Sequence, residues 1–276
     1  MPAIVPIADP DDPRIGAYAQ VRERDLVGRR GAFIAEGEVV LRVLLGPESR
    51  CRAASLLIAE KRLDRLAPLI EGLAPDVPVY AAGQAVMDAI TGFHIHRGIM
   101  AHGVRPPDPG AEALLSGLGP RALALVLFGI SNHDNMGGLF RNAAAFGADA
   151  VLLDAACCDP LYRKAIRVSV GAALTVPFAR LPAADDPLEM LTRAGFTALA
   201  LSPRGVEPLA GVARPDRAAV LLGAEGAGLP DDLLQRARTL VIPMAAGWDS
   251  LNVAAASAIV LHELTRADRC GHANPS

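Results

Sequence analysis

The sequence predicts an α/β protein, in which a parallel sheet with helices on both faces follows a smaller N-terminal α/β domain. Apolar runs of strand length alternate with helical patterns along the 276 residues. After residue 120 the strand-like runs are apolar almost throughout, which is typical of parallel strands covered on both faces. The stretch PPDPG at 106–110 has three prolines in five residues and separates the two series. We therefore expect a domain at 1–105, a linker at 106–119 and a second domain at 120–276.

In the first domain, short apolar runs predict four strands, and the amphipathic segments between them predict three helices. The predicted strands are 32–37, 54–60, 77–82 and 98–103, and the predicted helices are 38–46, 61–73 and 84–90.

The second domain continues the alternation with longer apolar runs. Its predicted strands are 122–130, 148–154, 175–181, 196–202, 218–223 and 239–244, and its predicted helices are 137–147, 161–173, 186–195, 231–237 and 250–267. Because parallel sheets bind ligands outside the carboxyl ends of their strands, the loops at those ends are where a functional site is expected.

Composition excludes little by itself. Hydrophobic residues make up 51% of the chain, enough for a sizeable core, and the formal net charge of −3 gives no global sign of nucleic-acid binding. Local basic clusters remain at residues 14–30 and 50–65, each with five basic residues against two acidic ones. Each cluster fits either phosphate binding or an ordinary solvated face.

The cysteines and the N-terminus predict a cytoplasmic protein with reduced thiols. The four cysteines have no C-x-x-C spacing, the first residues lack the pattern of a signal peptide, and no apolar run reaches the roughly 20 residues of a membrane span. His94 and His96 alternate on one strand face, but no carboxylate or cysteine joins them at ligand spacing, so we expect no metal site.

Three loops at predicted strand ends carry the chemical signal. They are SNHDNMGGLFR at 131–141, LLGAEGAGLP at 221–230 and IPMAAGWDSLNV at 242–253. None is the GxGxxG fingerprint of dinucleotide binding, and the P-loop motif is absent, so a nicotinamide enzyme or a P-loop nucleotidase is disfavoured.

Together the loops resemble the three motifs of the SpoU (TrmH) RNA ribose 2′-O-methyltransferases of the SPOUT superfamily. The first motif, Asn-x-Gly and then Arg after three residues, is matched by Asn135, Gly137 and Arg141. The second is Leu-Gly-x-Glu-x-x-Gly, and the third joins Ile-Pro-Met to Ser-Leu-Asn-Val. They are matched by Leu222, Gly223, Glu225 and Gly228, and by Ile242, Pro243, Met244, Ser250, Leu251, Asn252 and Val253.

The resemblance covers about residues 120–266 and has three departures. His133 stands where the family usually has proline, Ala246 where it has glycine, and Ala254 where it has serine. The segments FIAEG and TGFHIHRGIMA resemble, less specifically, the family's ribosomal-protein-like substrate-binding module.

The resemblance implies S-adenosylmethionine as cofactor, a deep trefoil knot, a homodimer formed through the second domain, and a ribose 2′-hydroxyl of structured RNA as methyl acceptor. Ribosomal RNA is the first expectation and tRNA the second. The residues expected to bind the cofactor are Leu222, Gly223, Gly228, Ile242, Met244 and Leu251. The RNA-binding residues expected in the first domain are Arg22, Arg24, Arg29 and Arg30.

The resemblance also implies catalytic roles. The family's motif-one arginine is proposed as a general base, but a guanidinium effectively never loses its proton in proteins, so we prefer Arg141 as a fork that binds phosphate and stabilises a developing alkoxide. Asn135 and Ser250 are expected to position the arginine or the ribose. Glu225 and Asn252 are expected to hold the loops or orient the acceptor.

Each residue alone has a simpler reading. Arg141 fits a surface ion pair, Asn135 and Ser250 fit helix N-caps, and Glu225 fits a turn. Trp248 either stacks on a base or plugs a surface gap. The three motifs in family order favour the enzyme over two alternatives, a non-catalytic RNA-binding or ribosome-assembly protein and a nicotinamide-dependent enzyme.

Replacing the four arginines at 22, 24, 29 and 30 by alanine is expected to weaken RNA binding and to flatten its dependence on salt. Neutralising phosphates releases counterions, so affinity falls steeply with salt in proportion to the phosphates contacted. Filter binding across a salt series measures both quantities. An unchanged affinity and slope would reduce the cluster to a solvated face.

Overall fold

The structure, a computed structural model, describes residues 2–19, 31–91, 98–248 and 250–270, which divide into two compact units. The first unit is Met1–Pro107 with Asp159–Thr175, and the second is Asp108–Cys158 with Val176–Ser276. The segment 159–175 was predicted to belong to the second domain, whereas its contacts are with the first unit. Arg22, Arg24, Arg29, Arg30, His94 and His96 lie outside the described residues.

Strands and helices are numbered in chain order over the described residues. The strands are β1 Ile4–Ile7, β2 Ala32–Glu36, β3 Arg52–Ala59, β4 Val79–Ala82, β5 Ile99–Val104, β6 Ala122–Leu127, β7 Ala150–Leu153, β8 Phe178–Arg180, β9 Thr197–Leu201, β10 Glu207–Pro208, β11 Arg217–Leu222 and β12 Arg238–Val241. The helices are α1 Glu38–Leu45, α2 Leu63–Glu71, α3 Gln84–Thr91, α4 Ala111–Ser116, α5 His133–Phe146, α6 Arg163–Val168, α7 Pro187–Arg193, α8 Asp231–Arg236 and α9 Val253–Cys270.

The first unit contains a five-stranded mixed sheet in the order β1-β4-β3-β5-β2. Strands β1, β4 and β3 are parallel, and β5 runs antiparallel to both β3 and β2. The returning segment 159–175 belongs to this unit, where Asp159 pairs with Arg105 at 3.2 Å and Leu174 accepts a hydrogen bond from the Arg50 backbone at 2.9 Å.

The second unit contains a seven-stranded, all-parallel sheet in the order β10-β12-β9-β11-β6-β7-β8. Its core joins alternate residues of β6, Ala124 and Val126, to apolar residues of α4, α7 and α8. From β6 the chain builds β7 and β8 on one side, and β11, β9 and β12 lie on the other. The β6–β11 pair is therefore the switch point of the sheet, where doubly wound proteins bind ligands.

Helices α5 and α9 pack against each other at very short range. A methyl group on Gly138 would lie 2.8 Å from Cβ of Ala254, so any larger residue at 138 would push the helices apart. The Asn142 side-chain amide donates to the Ala254 carbonyl at 2.7 Å and to Oγ of the fully buried Ser257 at 2.8 Å. This contact fixes the start of α9 beside the start of α5.

The sequence predictions also differ from the fold in several elements, including the short strand β10, which was not predicted. Strand β1 and the 3-10 helix Pro13–Tyr18 were not predicted. Pro6 lies within β1 and disfavours a strand prediction. The structure tolerates it because β1 is an edge strand of its sheet. Helix α4 lies inside the predicted linker. Helix α5 begins at His133 rather than at 137. No helix in the described part of the chain combines the length and apolar character needed to cross a bilayer.

Arg217, at the start of β11, holds two helix ends of the second unit. Its guanidinium donates to the carbonyl of Leu115 in the last turn of α4, to those of Leu118 and Gly119 after that helix, and to that of Ala194 after α7. It also lies over the Phe196 ring, 4.3 Å from the centroid. A cation at the carbonyl end of a helix is favoured by the helix dipole.

Substituting Arg217 by methionine is expected to lower the free energy of unfolding by about 2–4 kcal/mol, because several carbonyls lose a charged donor. Denaturant titration followed by circular dichroism measures the loss. Arg238, an exposed arginine paired with Glu207, serves as the matched control, and Arg238→Met is expected to change stability by less than about 1 kcal/mol. Equal effects of the two substitutions would contradict the role given to Arg217.

Candidate active site

Three polar side chains from the three loops meet in one hydrogen-bonded trio. Asn135 Nδ2 donates to Glu225 Oε1 at 2.8 Å. Asn252 Nδ2 donates to the same Glu225 oxygen at 2.9 Å and to Asn135 Oδ1 at 2.8 Å. Asn135 lies at the start of α5, Glu225 follows β11, and Asn252 precedes α9, so the trio joins segments that are far apart in the sequence at the carboxyl edge of the sheet.

The trio asparagines have different local tasks. The α5 N-cap is Asn132, whose side-chain oxygen accepts from the backbone of Asp134 at 2.7 Å, so the simple reading of Asn135 as a cap is wrong. Asn252, not Ser250, accepts from the first turn of α9, at 2.9 Å from Ala254 N. Because Asn135 is 7% exposed and has no capping task, its conformation is explained by the trio alone.

The loop after β11 is folded tightly around glycine. A methyl group on Gly223 would lie 2.2 Å from the Gly228 carbonyl carbon, so residue 223 must lack a side chain. Gly228 donates its backbone N–H to the Ala224 carbonyl at 2.9 Å and has a φ of 70°, a conformation that favours glycine. Glu225 lies in the turn between them, which points its carboxylate towards α5.

Next to the trio lies a cavity of about 540 Å³, within the size range of cofactor sites. All six residues expected to bind the cofactor line it: Leu222, Gly223, Gly228, Ile242, Met244 and Leu251. Ser250 and Glu225 also line it, so the cavity and the trio share a wall.

Sequence analysis missed a fourth loop of the cavity. Residues 201–204 at the end of β9 line it, together with Val253 and Ala256 of α9. The local signal was present, because SPRG directly follows an apolar strand, with proline and glycine at turn positions. This loop was not predicted as part of the site because it matches none of the three motifs.

Arg141 is not part of the trio. It is the ninth residue of α5 rather than a residue at the helix start, about 9 Å along the axis from Asn135 and on a different side of the helix. Its side chain is exposed, and it makes no hydrogen bond or ion pair with another described residue. The simple reading of a surface ion pair therefore does not apply within the described chain, and the guanidinium faces solvent.

The loop after β6 is held by the side chains of Asp154 and Cys157, which follow β7. Asp154 accepts from Gly129 N at 3.0 Å, and the Cys157 thiol accepts from Ile130 N and donates to the Leu127 carbonyl, both at 3.3 Å. Burial raises the pKa of Cys157 to about 12, so the thiol is neutral and structural. Among the described residues no group of three or more metal-ligating side chains occurs.

The chain is similar in sequence and in fold to known RNA methyltransferases. The family model described as SpoU rRNA Methylase matches residues 122–262. A tRNA/rRNA methyltransferase of Mycobacterium tuberculosis, itself uncharacterized, is 41% identical over 272 residues, which cover 94% of this chain and 91% of that protein. The AdoMet-bound rRNA methyltransferase of Sinorhizobium meliloti has a similar fold, with a TM-score of 0.78 at 23% identity, and the match covers 96% of this chain and 98% of that chain. A solved RNA 2′-O ribose methyltransferase has a TM-score of 0.78 at 24% identity, over 97% and 100% of the two chains.

Replacing Asn135 by aspartate is expected to destabilise the protein increasingly as pH rises. The new carboxylate would lie beside Glu225, and like charges this close raise the pKa of one of them above its unfolded value near 4. The protonated pair can share a hydrogen bond at low pH, so the penalty appears only above about pH 4 and is complete once the raised pKa is passed.

Unfolding free energies at pH 5 and pH 8 measure this effect, and we expect the variant to lose about 1–2 kcal/mol more at pH 8. Asn132→Asp is the matched control, because a carboxylate at that N-cap position is favourable and adds no charge to the trio. If both variants respond to pH alike, the trio contact is not what the substitution disturbs.

Proposed function

Since the chain belongs to the SpoU rRNA methylase family and is an RNA methyltransferase, we propose that it transfers a methyl group from S-adenosylmethionine to a ribose 2′-hydroxyl of structured RNA. The observation that carries the proposal is the Asn135–Glu225–Asn252 trio on the wall of a cofactor-sized cavity. The motif resemblance supports ribose as the acceptor, and ribosomal RNA is favoured over tRNA.

The cavity fits S-adenosylmethionine in size and lining. Gly223 and Gly228 keep the β11 loop close to the cavity with no side chain filling it, and Leu222, Ile242 and Met244 supply apolar walls. A nucleoside needs such walls, with backbone groups in reach for its polar edge. When bound, the cofactor supplies an electrophilic methyl group on a sulfonium.

The trio orients the acceptor side of the reaction. Glu225 Oε1 accepts both amide bonds, and its second oxygen has no hydrogen bond to a described residue. That oxygen is free to accept a hydrogen bond from the ribose hydroxyl, which turns a lone pair of the hydroxyl oxygen towards the cavity, and it takes up the proton that the hydroxyl loses when the methyl group is transferred. Positioning of this kind accounts for roughly 7–11 kcal/mol of barrier reduction in well-oriented reactions.

Arg141 serves the RNA backbone in this proposal. Its exposed guanidinium has no partner among the described residues, and a planar fork suits a phosphate oxygen pair. Bound there, it anchors the RNA backbone at a point outside the trio, so that the neighbouring ribose can reach the trio. It acts as a cation throughout, because its pKa excludes a role as base.

Several wider features belong to the same proposal. The first unit binds the RNA substrate, residues 120–276 form the methyltransferase domain, the C-terminal segment completes a trefoil knot, and the protein works in the cytoplasm. A non-catalytic RNA-binding or ribosome-assembly role is the second candidate. It predicts RNA binding without methyl transfer, and the assembled trio argues against it.

The protein is also proposed to be a homodimer through its second unit. Helix α9 exposes Ile259, and Trp248 and Leu251 are exposed in the loop before it, so an apolar surface is available for a second copy. Trp248 is 76% exposed, so it does not plug a gap within the described chain.

Light scattering at micromolar concentration is expected to give twice the 28.7 kDa chain mass. A monomer under those conditions would contradict the proposal.

The substitution Arg141→Lys is expected to lower kcat/KM for methyl transfer by roughly 30- to 1000-fold, about 2–4 kcal/mol, while S-adenosylmethionine affinity stays within twofold. Lysine keeps the charge but loses the fork. Methyl transfer to RNA and calorimetry with the cofactor separate the two quantities, and NAD serves as the negative control ligand.

Two outcomes would count against these assignments. Near-normal turnover of Arg141→Ala would remove the residue from the mechanism. Binding of NAD, with none of S-adenosylmethionine, by the unsubstituted protein would overturn the proposed function itself.

A further inference from the structure

The β9 loop is a rigid turn at the cavity wall. Gly205 N donates to the Ser202 carbonyl at 3.0 Å, and the Ser202 hydroxyl accepts from Arg204 N at 3.1 Å. A methyl group on Gly205 would lie 2.3 Å from the Leu240 carbonyl oxygen, so the turn is pressed against β12. With proline at its second position and glycine at its fourth, the turn sets the direction of Arg204.

Arg204 is a positively charged side chain in a cavity wall that contains few charges. Among the described residues that line the cavity, the charged ones are Arg204 and Glu225, on neighbouring loops of the sheet. Glu225 is engaged by the amides of the trio. Arg204 is oriented by Asp231 at the start of α8, whose Oδ1 accepts from Nη2 at 2.7 Å.

The orientation of this guanidinium leaves two separate N–H donors for a ligand. Nε and Nη1 of Arg204 make no hydrogen bond to a described residue, and the side chain is 70% exposed where the cavity meets solvent. Because Nη2 is held by Asp231 and Nε and Nη1 lie on opposite sides of the group, each of these two nitrogens offers a single charge-assisted N–H to a carboxylate oxygen.

We infer that Arg204 forms the subsite for the amino-acid end of the cofactor and donates to its carboxylate, while Asp231 orients the guanidinium. The inference rests on the proposed function, because it assumes that S-adenosylmethionine occupies the cavity. The adenosine part is neutral and suits the apolar walls, whereas the zwitterionic arm requires paired charges when it leaves water. Arg204 is thus a determinant of cofactor affinity that acts apart from the trio.

The test compares two ligands that differ in this arm alone. S-adenosylhomocysteine carries the amino-acid arm, 5′-methylthioadenosine replaces it with a methyl group, and both are uncharged at sulfur. By calorimetry on the full chain, Arg204→Gln is expected to weaken S-adenosylhomocysteine roughly tenfold or more and to leave 5′-methylthioadenosine within twofold.

Arg236→Gln is the matched control. Arg236 is also exposed and pairs with an aspartate, Asp186, at 2.6 Å, but it does not line the cavity, so both affinities are expected to stay unchanged. Unaltered S-adenosylhomocysteine binding by Arg204→Gln would overturn the inference. So would equal weakening of both ligands, since that assigns Arg204 to the adenosine or to the shape of the loop. If the unsubstituted protein binds neither ligand, the proposed function fails and takes the inference with it.

Discussion

One carboxylate oxygen holds the candidate active site together. Glu225 Oε1 accepts from the amides of Asn135 and Asn252, which come from loops 90 and 27 residues away in the chain. A carboxylate accepting two amide hydrogen bonds fixes both donors, and the direct contact between the two asparagines closes the set. Asn135 is the buried member, so losing either partner removes hydrogen bonds from a buried amide, whereas Glu225 and Asn252 are exposed and can be hydrated.

The packing around the trio explains why small residues are concentrated there. Two adjacent glycines inside α5 each cost about 1 kcal/mol of helix stability relative to alanine. Gly138 offsets this by letting Ala254 of α9 come into contact with α5, which brings Asn252 to the start of α5. Gly223 likewise lets the backbone of Gly228 approach closely within the loop after β11. Close approach of backbones is therefore the common structural requirement of all three motifs.

The sequence predicted much of this, and the misses have physical causes. The spacing and length of the apolar runs located most strands of the parallel sheet, because a buried strand can be recognised from a short stretch of sequence. A short stretch of sequence does not indicate which sheet a helix packs against, so the packing of 159–175 in the first unit could not be predicted. The N-cap at Asn132 was missed because Asn132, Asp134 and Asn135 all lie around the start of α5 and each is a residue type that caps helices, so only coordinates distinguish the cap from Asn135. The β9 turn at 202–205 carried ordinary turn chemistry, which gives no indication that a cavity lies beside it.

The central claim is that the trio delivers a ribose hydroxyl to the cofactor cavity. The most direct measurement starts from RNA that lacks the ribose 2′-O-methyl group. The RNA is incubated with the purified protein and isotope-labelled S-adenosylmethionine, and its nucleosides are then analysed by mass spectrometry. The account predicts that the label appears in one 2′-O-methylnucleoside and is lost with Asn135→Ala, although RNA is still bound. Label on a base, or undiminished 2′-O-methylation by Asn135→Ala, would contradict it.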